Sequence, residues 1–438
     1  MPHVVFVPLT GFRVREQELL ALGMTLPGLG PRSKAIGELP ALGLLTLAGM
    51  LPERWTCEYL PARRCDEALV QRIVDRRPDL VAVSALTASI DEAYELCRQL
   101  RRCGIQTVLG GLHATACPDE AMQYGSVVAG SGEGVWPVVL ADAEAGALRP
   151  RYQAPRRLAA GDWPLPRFDL LGPDIPRFTL QTERGCPLAC DFCGASRLLG
   201  SFQEKPLAAI ERELAAIRRL DARPLVELAD DNTFAGRRDP AALLHALGAA
   251  GIRYFTEADW RIGERPEVLD HLAASGCQQV LMGIESLVFR YPGMGEKQAE
   301  LARIMQAVER IQDAGMAVNG CFIVGAEGET RDSLDRLTRF LLDSPLAEIQ
   351  ITLQTPFPGT GLYRRLQGAG RLLVERGWPY YTLFDVTYQP DQMSVAELER
   401  GFRDVLAAVF SPAATRRRGA IRREILKHRP KLYPRSRS

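Results

Sequence analysis

No run of this sequence is apolar for long enough to cross a membrane. The longest, Ala41 to Leu51, falls well short of the ~20 residues a bilayer requires and reads as a buried helix. The opening residues, MPHVVFVPLT, lack the basic flank, long apolar centre and small-residue cleavage site of a secretory signal, so a cytoplasmic protein is expected. Charge of one sign is equally scarce: 54 Lys and Arg meet 53 Asp and Glu. That balance gives no reason to expect nucleic acid or a membrane surface as the main partner. Cysteine is too thinly spread, ten in 438 residues, for a disulfide scaffold. In a reducing compartment such thiols point first to metal ligation or catalysis. No internal repeat is visible.

What is present is 46% hydrophobic content on a chain long enough for two or three buried cores. One stretch departs from the even charge. Arg416, Arg417, Arg418, Arg422, Arg423, Lys427, Arg429, Lys431, Arg435 and Arg437 face a single acid, Glu424, and an isolated run of this kind reads as a solvated tail.

Apolar runs at His3–Pro8, Thr56–Leu60, Leu80–Ala85, Gln106–Leu109 and Ser126–Ala129 alternate with helical patterns such as Asp91–Arg102. This predicts an α/β domain over residues 1–150 with a doubly wound parallel sheet. Small or polar turns follow three of these strands, at Ser84–Thr87, Gly110–His113 and Gly130–Glu133, on the edge where open α/β sheets bind ligands. Prolines 155, 164, 166, 173 and 176 then mark residues 151–177 as a linker.

Six further strands are expected at Phe178–Glu183, Pro224–Ala229, Tyr254–Ala258, Gln279–Ile284, Val318–Val324 and Glu348–Gln354, with amphipathic helices such as Lys205–Leu220 and Gln298–Ala314 between them. Six β/α units over residues 178–365 make a partial barrel, whose chemistry belongs on loops at the C-terminal strand ends. Residues 366–438 read as a helical extension. Its clearest helix is Ser394–Phe410, opened by a capping box of Ser394 and Glu397.

The segment TERGCPLACDFCGAS sets Cys186, Cys190 and Cys193 on a loop directly after the first barrel strand. Three thiolates on one tight loop can hold three corners of a cubane iron–sulfur cluster and leave one iron open. An open iron can bind the amino and carboxylate groups of a small molecule, and a low-potential cluster can pass an electron to a nearby sulfonium. A structural zinc site is the alternative; it needs a fourth ligand, and no neighbouring His or CxxC supplies one. Three packing cysteines in a polar turn flanked by Gly and Pro are a third, weaker reading.

CPLACDFC, a CxxxCxxC motif with Phe192 before the last cysteine, resembles the signature of the radical SAM superfamily. The resemblance implies a [4Fe–4S] cluster on Cys186, Cys190 and Cys193 that cleaves S-adenosylmethionine (SAM) to a 5′-deoxyadenosyl radical. It also implies a SAM side formed by Phe192, Asp230, Asp231, Glu285, Ser286 and Gly325. A doubly wound domain before such a barrel is similar to the cobalamin-binding radical SAM family, through VAVSALTAS, VLGGLHATACPDEA, VVAGSGEGVWPVVL, ELADDNTFAG, GCQQVLMGIES and TPFPGTGLY.

On that resemblance Ser84, Thr87, Gly110 and Gly111 lie along the nucleotide tail of cobalamin. The DxHxxG motif of histidine-ligating cobalamin domains is absent, and the surroundings of His113 differ from it. The activity implied is methylation of an unactivated carbon in a small-molecule or natural-product substrate, with a one-electron reductant such as flavodoxin or ferredoxin. A radical SAM oxidoreductase or cyclase and a non-catalytic cobalamin or Fe–S sensor are the alternatives. Methylthiolation fits less well, since Cys57, Cys65, Cys97, Cys103 and Cys117 lack the spacing of a second cluster loop and read as packing residues.

Overall fold

Near-continuous apolar runs, buried on both faces, build the first sheet. In the computed structural model, which describes all residues except 24, 27–29, 32–36, 38, 160–162, 174, 176, 195–197, 199 and 430–438, its strands are β1 (His3–Leu9), β2 (Thr56–Tyr59), β3 (Leu80–Ala85), β4 (Gln106–Gly110), β5 (Ser126–Ala129) and β6 (Arg151–Gln153). They pair in parallel in the order β2-β1-β3-β4-β5-β6. Side chains of a strand point to opposite faces in turn. Val4, Phe6, Ala82 and Val128 therefore pack with Leu44 and Trp136 on one side, while Val5, Val7, Val83 and Val127 pack with Ile73, Leu96 and Leu100 on the other.

The sixth strand was not expected. It opens the proline-rich stretch, buries Tyr152 beside β5 and stops before Pro155, which has no N–H to continue a ladder.

The second sheet runs β7 (Phe178–Leu180), β8 (Leu225–Leu228), β9 (Arg253–Glu257), β10 (Cys277–Glu285), β11 (Ala317–Val324) and β12 (Glu348–Leu353). All neighbours are parallel and follow chain order, with β7 and β12 as edges: an open six-stranded barrel. Helices such as Leu207–Leu220 and Leu301–Asp313 cover its outside through Ile210, Leu214, Ile304 and Val308. The first barrel strand is shorter than expected. After Leu180 the amides of Thr182 and Glu183 turn to the Asp230 carboxylate, at 2.6 and 3.1 Å, and Glu183–Arg184 pairs antiparallel with Gln203–Glu204 instead.

In the extension, helix Val395–Val409 carries the expected capping box of Ser394 and Glu397. The basic tail is a correction. Arg416 to Lys427 form part of a helix, Pro412–His428, that docks through Arg417, Arg418 and Arg422, while Arg416, Arg423 and Lys427 stay exposed. Arg417 donates to the carbonyls of Leu342 and Ser344 at 2.8 Å, buried Arg418 donates to that of Val409 at 2.7 Å, and Arg422 pairs with Glu348 at the start of β12. Glu348 is only 2% exposed, and a carboxylate so buried requires a cation. Lys431, Arg435, Arg437 and Pro176 lie outside the described residues. Among the described residues no helix is long and apolar enough to cross a membrane.

Candidate functional site

The three cysteines of the loop after β7 line one cavity of about 220 Å³ at the C-terminal ends of the barrel strands. The loop is held from two sides. Ala189 and Asp191 donate backbone hydrogen bonds to the carbonyls of Gly293 and Pro292, at 3.1 and 2.9 Å. Gly293 takes φ +83°, and a Cβ there would strike the Ala189 carbonyl. From the other side Leu362 donates to the Asp191 carbonyl at 2.9 Å and Arg365 pairs with the Asp191 carboxylate at 2.8 Å. The TPFPGTGLY stretch thus serves as a brace beneath the cysteine loop, with Phe192 packed on buried Tyr291 at 4.6 Å between ring centroids.

Burial pushes the Cys186 thiol up to about 12 and the Cys190 thiol up to about 11, with Lys297 partly offsetting the second. A ligated metal must therefore displace both protons. The cavity fits such a guest. Its wall holds the Asp231 Oδ2 atom, buried with no hydrogen-bond partner, and burial followed by the neighbouring Asp230 pushes the Asp231 carboxyl up to about 6.

Other residues of the expected SAM side are placed differently from one another. Asp230 is committed to the fold: its carboxylate accepts from Thr182 N, Thr182 Oγ1, Glu183 N and Thr233 Oγ1, and it does not line the cavity. Glu285 does line it, at the end of β10, with a left-handed backbone (φ +71°) beside an irregularity in the β10–β11 pairing. A non-glycine residue in that region is a strained one, of the kind concentrated at functional sites. It pairs with the partly buried Lys297, and a Cβ on Gly283 would collide with that pair.

Ser286 turns aside and donates to Glu329 at 2.7 Å. Gly325 is also turned away: a Cβ there would collide with the Tyr388 hydroxyl of the extension. The residues that sequence reasoning missed in this cavity are Lys297, Glu257 and Asp259. Burial alone would raise the Asp259 carboxyl, but hydrogen bonds from Arg261 and Asn232 outweigh it and hold it low. For Lys297 a signal existed. Lysine is rare in this arginine-rich chain, and 297 sits in a glycine-rich turn.

A second cavity, about 280 Å³, opens over the carboxyl ends of β3, β4 and β5. Ser84, Gly110 and Gly111 line it; Thr87 does not, being buried in a 3₁₀ turn against the turn Trp378–Tyr380. Gly111 needs its glycine, since φ is +102° and the Ser84 hydroxyl lies 3.1 Å from where a Cβ would be. A Cβ at Gly110 would instead stand in open space, with the Val128 carbonyl 4.0 Å away, so glycine there keeps the cavity empty. The Trp136 indole N–H, buried in the wall, has no partner. A glycine cradle, apolar walls and an orphaned donor fit a large ring-bearing guest.

Barrel residues complete this second cavity. Arg184 reaches across to Glu133 at 2.7 Å, Lys205 pairs with Glu213 at 2.7 Å, and both cations stand over the Trp163 ring at 5.3 and 5.4 Å. His113 is not in its wall. Of the thiols expected to pack, Cys97 is fully buried, Cys57 and Cys65 are half-buried, and Cys103 is exposed on the surface.

Comparison with known proteins accords with both halves. The B12 binding domain family matches residues 31–140, and the Radical SAM superfamily matches residues 180–341. An uncharacterized methyltransferase of Synechocystis sp. is 28% identical over 77% of this chain and 64% of its own length. The bacteriochlorophyllide d C-12(1)-methyltransferase of Chlorobaculum tepidum is 24% identical over 78% and 76%. An anaerobic magnesium-protoporphyrin IX monomethyl ester cyclase of Rubrivivax gelatinosus is 22% identical over 76% and 66%.

Among solved structures, the cobalamin-dependent SAM radical enzyme OxsB with aqua-cobalamin bound superposes with a TM-score of 0.69 at 15% identity, over 92% of this chain and 66% of that one. The radical SAM methyltransferase TsrM of Kitasatospora setae, with cobalamin and a [4Fe–4S] cluster bound, gives 0.65 at 16% identity, over 94% and 90%. This chain thus spans only about two thirds of the Synechocystis and OxsB chains. A doubly wound domain and an open barrel with a three-cysteine loop, each matched by its own family, place the chain among the radical SAM proteins that carry a B12-binding domain.

Proposed function

We propose that this chain is a cobalamin-dependent radical SAM methyltransferase acting on an unactivated carbon of a small molecule. The observation that carries the reading is the adjacency of the two cavities. Gln181, Arg184 and Ala229 line the first-domain cavity, while Cys186, Asp231 and Asn232, a few residues on along the same two strand ends, line the cysteine cavity. A guest in each would meet over β7 and β8.

Cys186, Cys190 and Cys193 would hold the cluster. With SAM it supplies a carbon radical, and cobalamin supplies a transferable methyl group. The chain's own part is placement and exclusion. Asp231 Oδ2 accepts a hydrogen bond from a polar group of the guest, and the Glu285–Lys297 pair closes the far wall with its charges matched. The Arg184–Glu133 pair ties the barrel mouth to the first domain, and the Lys205–Glu213 pair, internal to the barrel, completes the wall of the same cavity. A reduced flavodoxin or ferredoxin is the electron donor this chemistry requires.

The test is anaerobic incubation of cluster-reconstituted protein with cobalamin, a low-potential reductant and SAM labelled in its methyl group. Label entering the bound corrinoid, with 5′-deoxyadenosine formed, supports the proposal. The relation to the Rubrivivax cyclase favours a second reading, radical chemistry without methyl transfer. Under it 5′-deoxyadenosine forms while the corrinoid stays unlabelled. Absence of 5′-deoxyadenosine leaves the sensor reading.

A further inference from the structure

His113 has no part in the chemistry above, and its environment is unusual. It lies in a short helix, Leu112–Ala116, followed directly by Cys117 and a second short helix, Pro118–Ala121, that carries Glu120. Its side chain is fully buried, and neither ring nitrogen has a hydrogen-bond partner. The nearest carboxylate atom, Glu120 Oε1, is 3.7 Å from Nε2, beyond hydrogen-bond reach. Burying an imidazole with both nitrogens unsatisfied is costly, and native structures rarely do so without a guest.

The guest is indicated by what surrounds the ring. One ligand atom each from His113, Cys117 and Glu120 lie within 4.8 Å of one another. Zinc bonds of about 2.0–2.3 Å in a tetrahedron set ligand atoms roughly 3.3–3.8 Å apart. The 3.7 Å His113–Glu120 separation is too long for a hydrogen bond and within a few tenths of an ångström of the roughly 3.3–3.5 Å that a nitrogen and an oxygen ligand of one zinc ion adopt. Shifts of about 1 Å, within rotamer freedom, bring in the third. The ligands are held from outside: Trp378 of the extension donates its indole N–H to Glu120 Oε1 at 2.9 Å and meets the His113 ring edge-on at 4.8 Å, while Tyr94 meets it edge-on at 6.3 Å. Such outer contacts orient metal ligands. Glu120 is partly exposed, which leaves an entry path.

We propose that His113, Cys117 and Glu120 bind one zinc ion, with water in the fourth position, and that the ion fastens the first domain to the Trp378 segment of the C-terminal extension. One nitrogen, one thiolate and one carboxylate make a donor set suited to zinc. Binding releases the Cys117 thiol proton to solvent and involves no electron transfer. The site is separate from both cavities, so it stands or falls independently of the methyl-transfer reading.

The test uses full-length protein with its cluster reconstituted, stripped with EDTA and reloaded with Zn²⁺, because empty cluster cysteines would themselves bind zinc. About one zinc per chain is expected, with a zinc-edge X-ray absorption spectrum showing one sulfur shell near ~2.3 Å beside lighter atoms. The Cys186→Ala/Cys190→Ala/Cys193→Ala variant is expected to keep that zinc and that sulfur. Cys117→Ala is expected to lose the sulfur shell and at least tenfold in zinc affinity, with iron content unchanged. Should Cys117→Ala fold poorly, the wild-type spectrum decides alone: no retained zinc, or zinc without sulfur, overturns the proposal, as does a sulfur shell that vanishes only in the triple variant.

Discussion

The two cavities are built on opposite principles. The one over the first sheet is walled on its first-domain side mostly by backbone and apolar side chains, with glycines that leave space and one orphaned indole N–H, and its charged barrel-side residues Arg184 and Lys205 are already paired to Glu133 and Glu213. The one at the barrel mouth is walled by donor atoms: three thiols, an unpartnered carboxylate oxygen and a partly buried ion pair. A guest in the first is selected by shape, a guest in the second by bonds. The same chain can therefore lose one function by adding atoms and the other by deleting them.

That contrast can be broken most sharply at the cysteines. Cys186→Ala is expected to abolish cluster absorbance and SAM cleavage while cobalamin binding persists; iron retention together with full activity would refute the assignment. The converse is Gly110→Leu, which fills open space in the first cavity. It is expected to weaken cobalamin binding by about 100-fold or more, a cost of ~3 kcal/mol for overpacking, with cluster iron unchanged. If both variants lost both cofactors, the two cavities would not be independent.

A smaller effect concerns the carboxylates behind the barrel loop. Burial, then the neighbouring Asp230, pushes Glu183 up to about 9, and one of its oxygens is unpartnered. A raised acid binds its proton more tightly in the folded state, so its contribution to stability is present below the unfolded pKa and is lost as pH rises through the folded value. The window is from about 4.5 to about 9. Glu183→Gln removes that loss, at up to about 1.4 kcal/mol per pH unit. Thermal unfolding across this window is expected to show a flatter profile for the variant and a higher midpoint at pH 8. The smallest effect is expected at Trp136→Phe, which deletes the orphaned donor and should weaken cobalamin binding a few-fold, about 1 kcal/mol, measured by equilibrium titration.

Elements with a clear period were legible in the sequence. All six barrel strands and five of the six in the first sheet lie where their apolar runs predict. Arg151–Gln153 was hidden because a three-residue strand between Pro150 and Pro155 has no period to read. Phe178–Glu183 was read too long, because a carboxylate forty-odd residues away captures its last amides. Adjacent residues parted for the same kind of reason: Asp230 is consumed by local hydrogen bonds while Asp231 faces the cavity, and Glu285 faces it while Ser286 turns to Glu329. Gly325 looked like a ligand approach, but its neighbour is Tyr388 from the extension. The basic tail looked solvated because its partner, Glu348, is a lone acid inside a strand.

By itself, then, the sequence determined the two α/β blocks and the cysteine triplet, since periodicity and ligand spacing are local properties of the chain. Tertiary structure alone decided which glycines face space rather than another side chain, and which of two neighbouring carboxylates is left unpaired. It also decided where Lys297, Arg184 and His113 come to lie. Each of those outcomes depends on atoms supplied by distant segments, and burial makes an unmatched polar atom costly enough to matter only once those segments have closed around it.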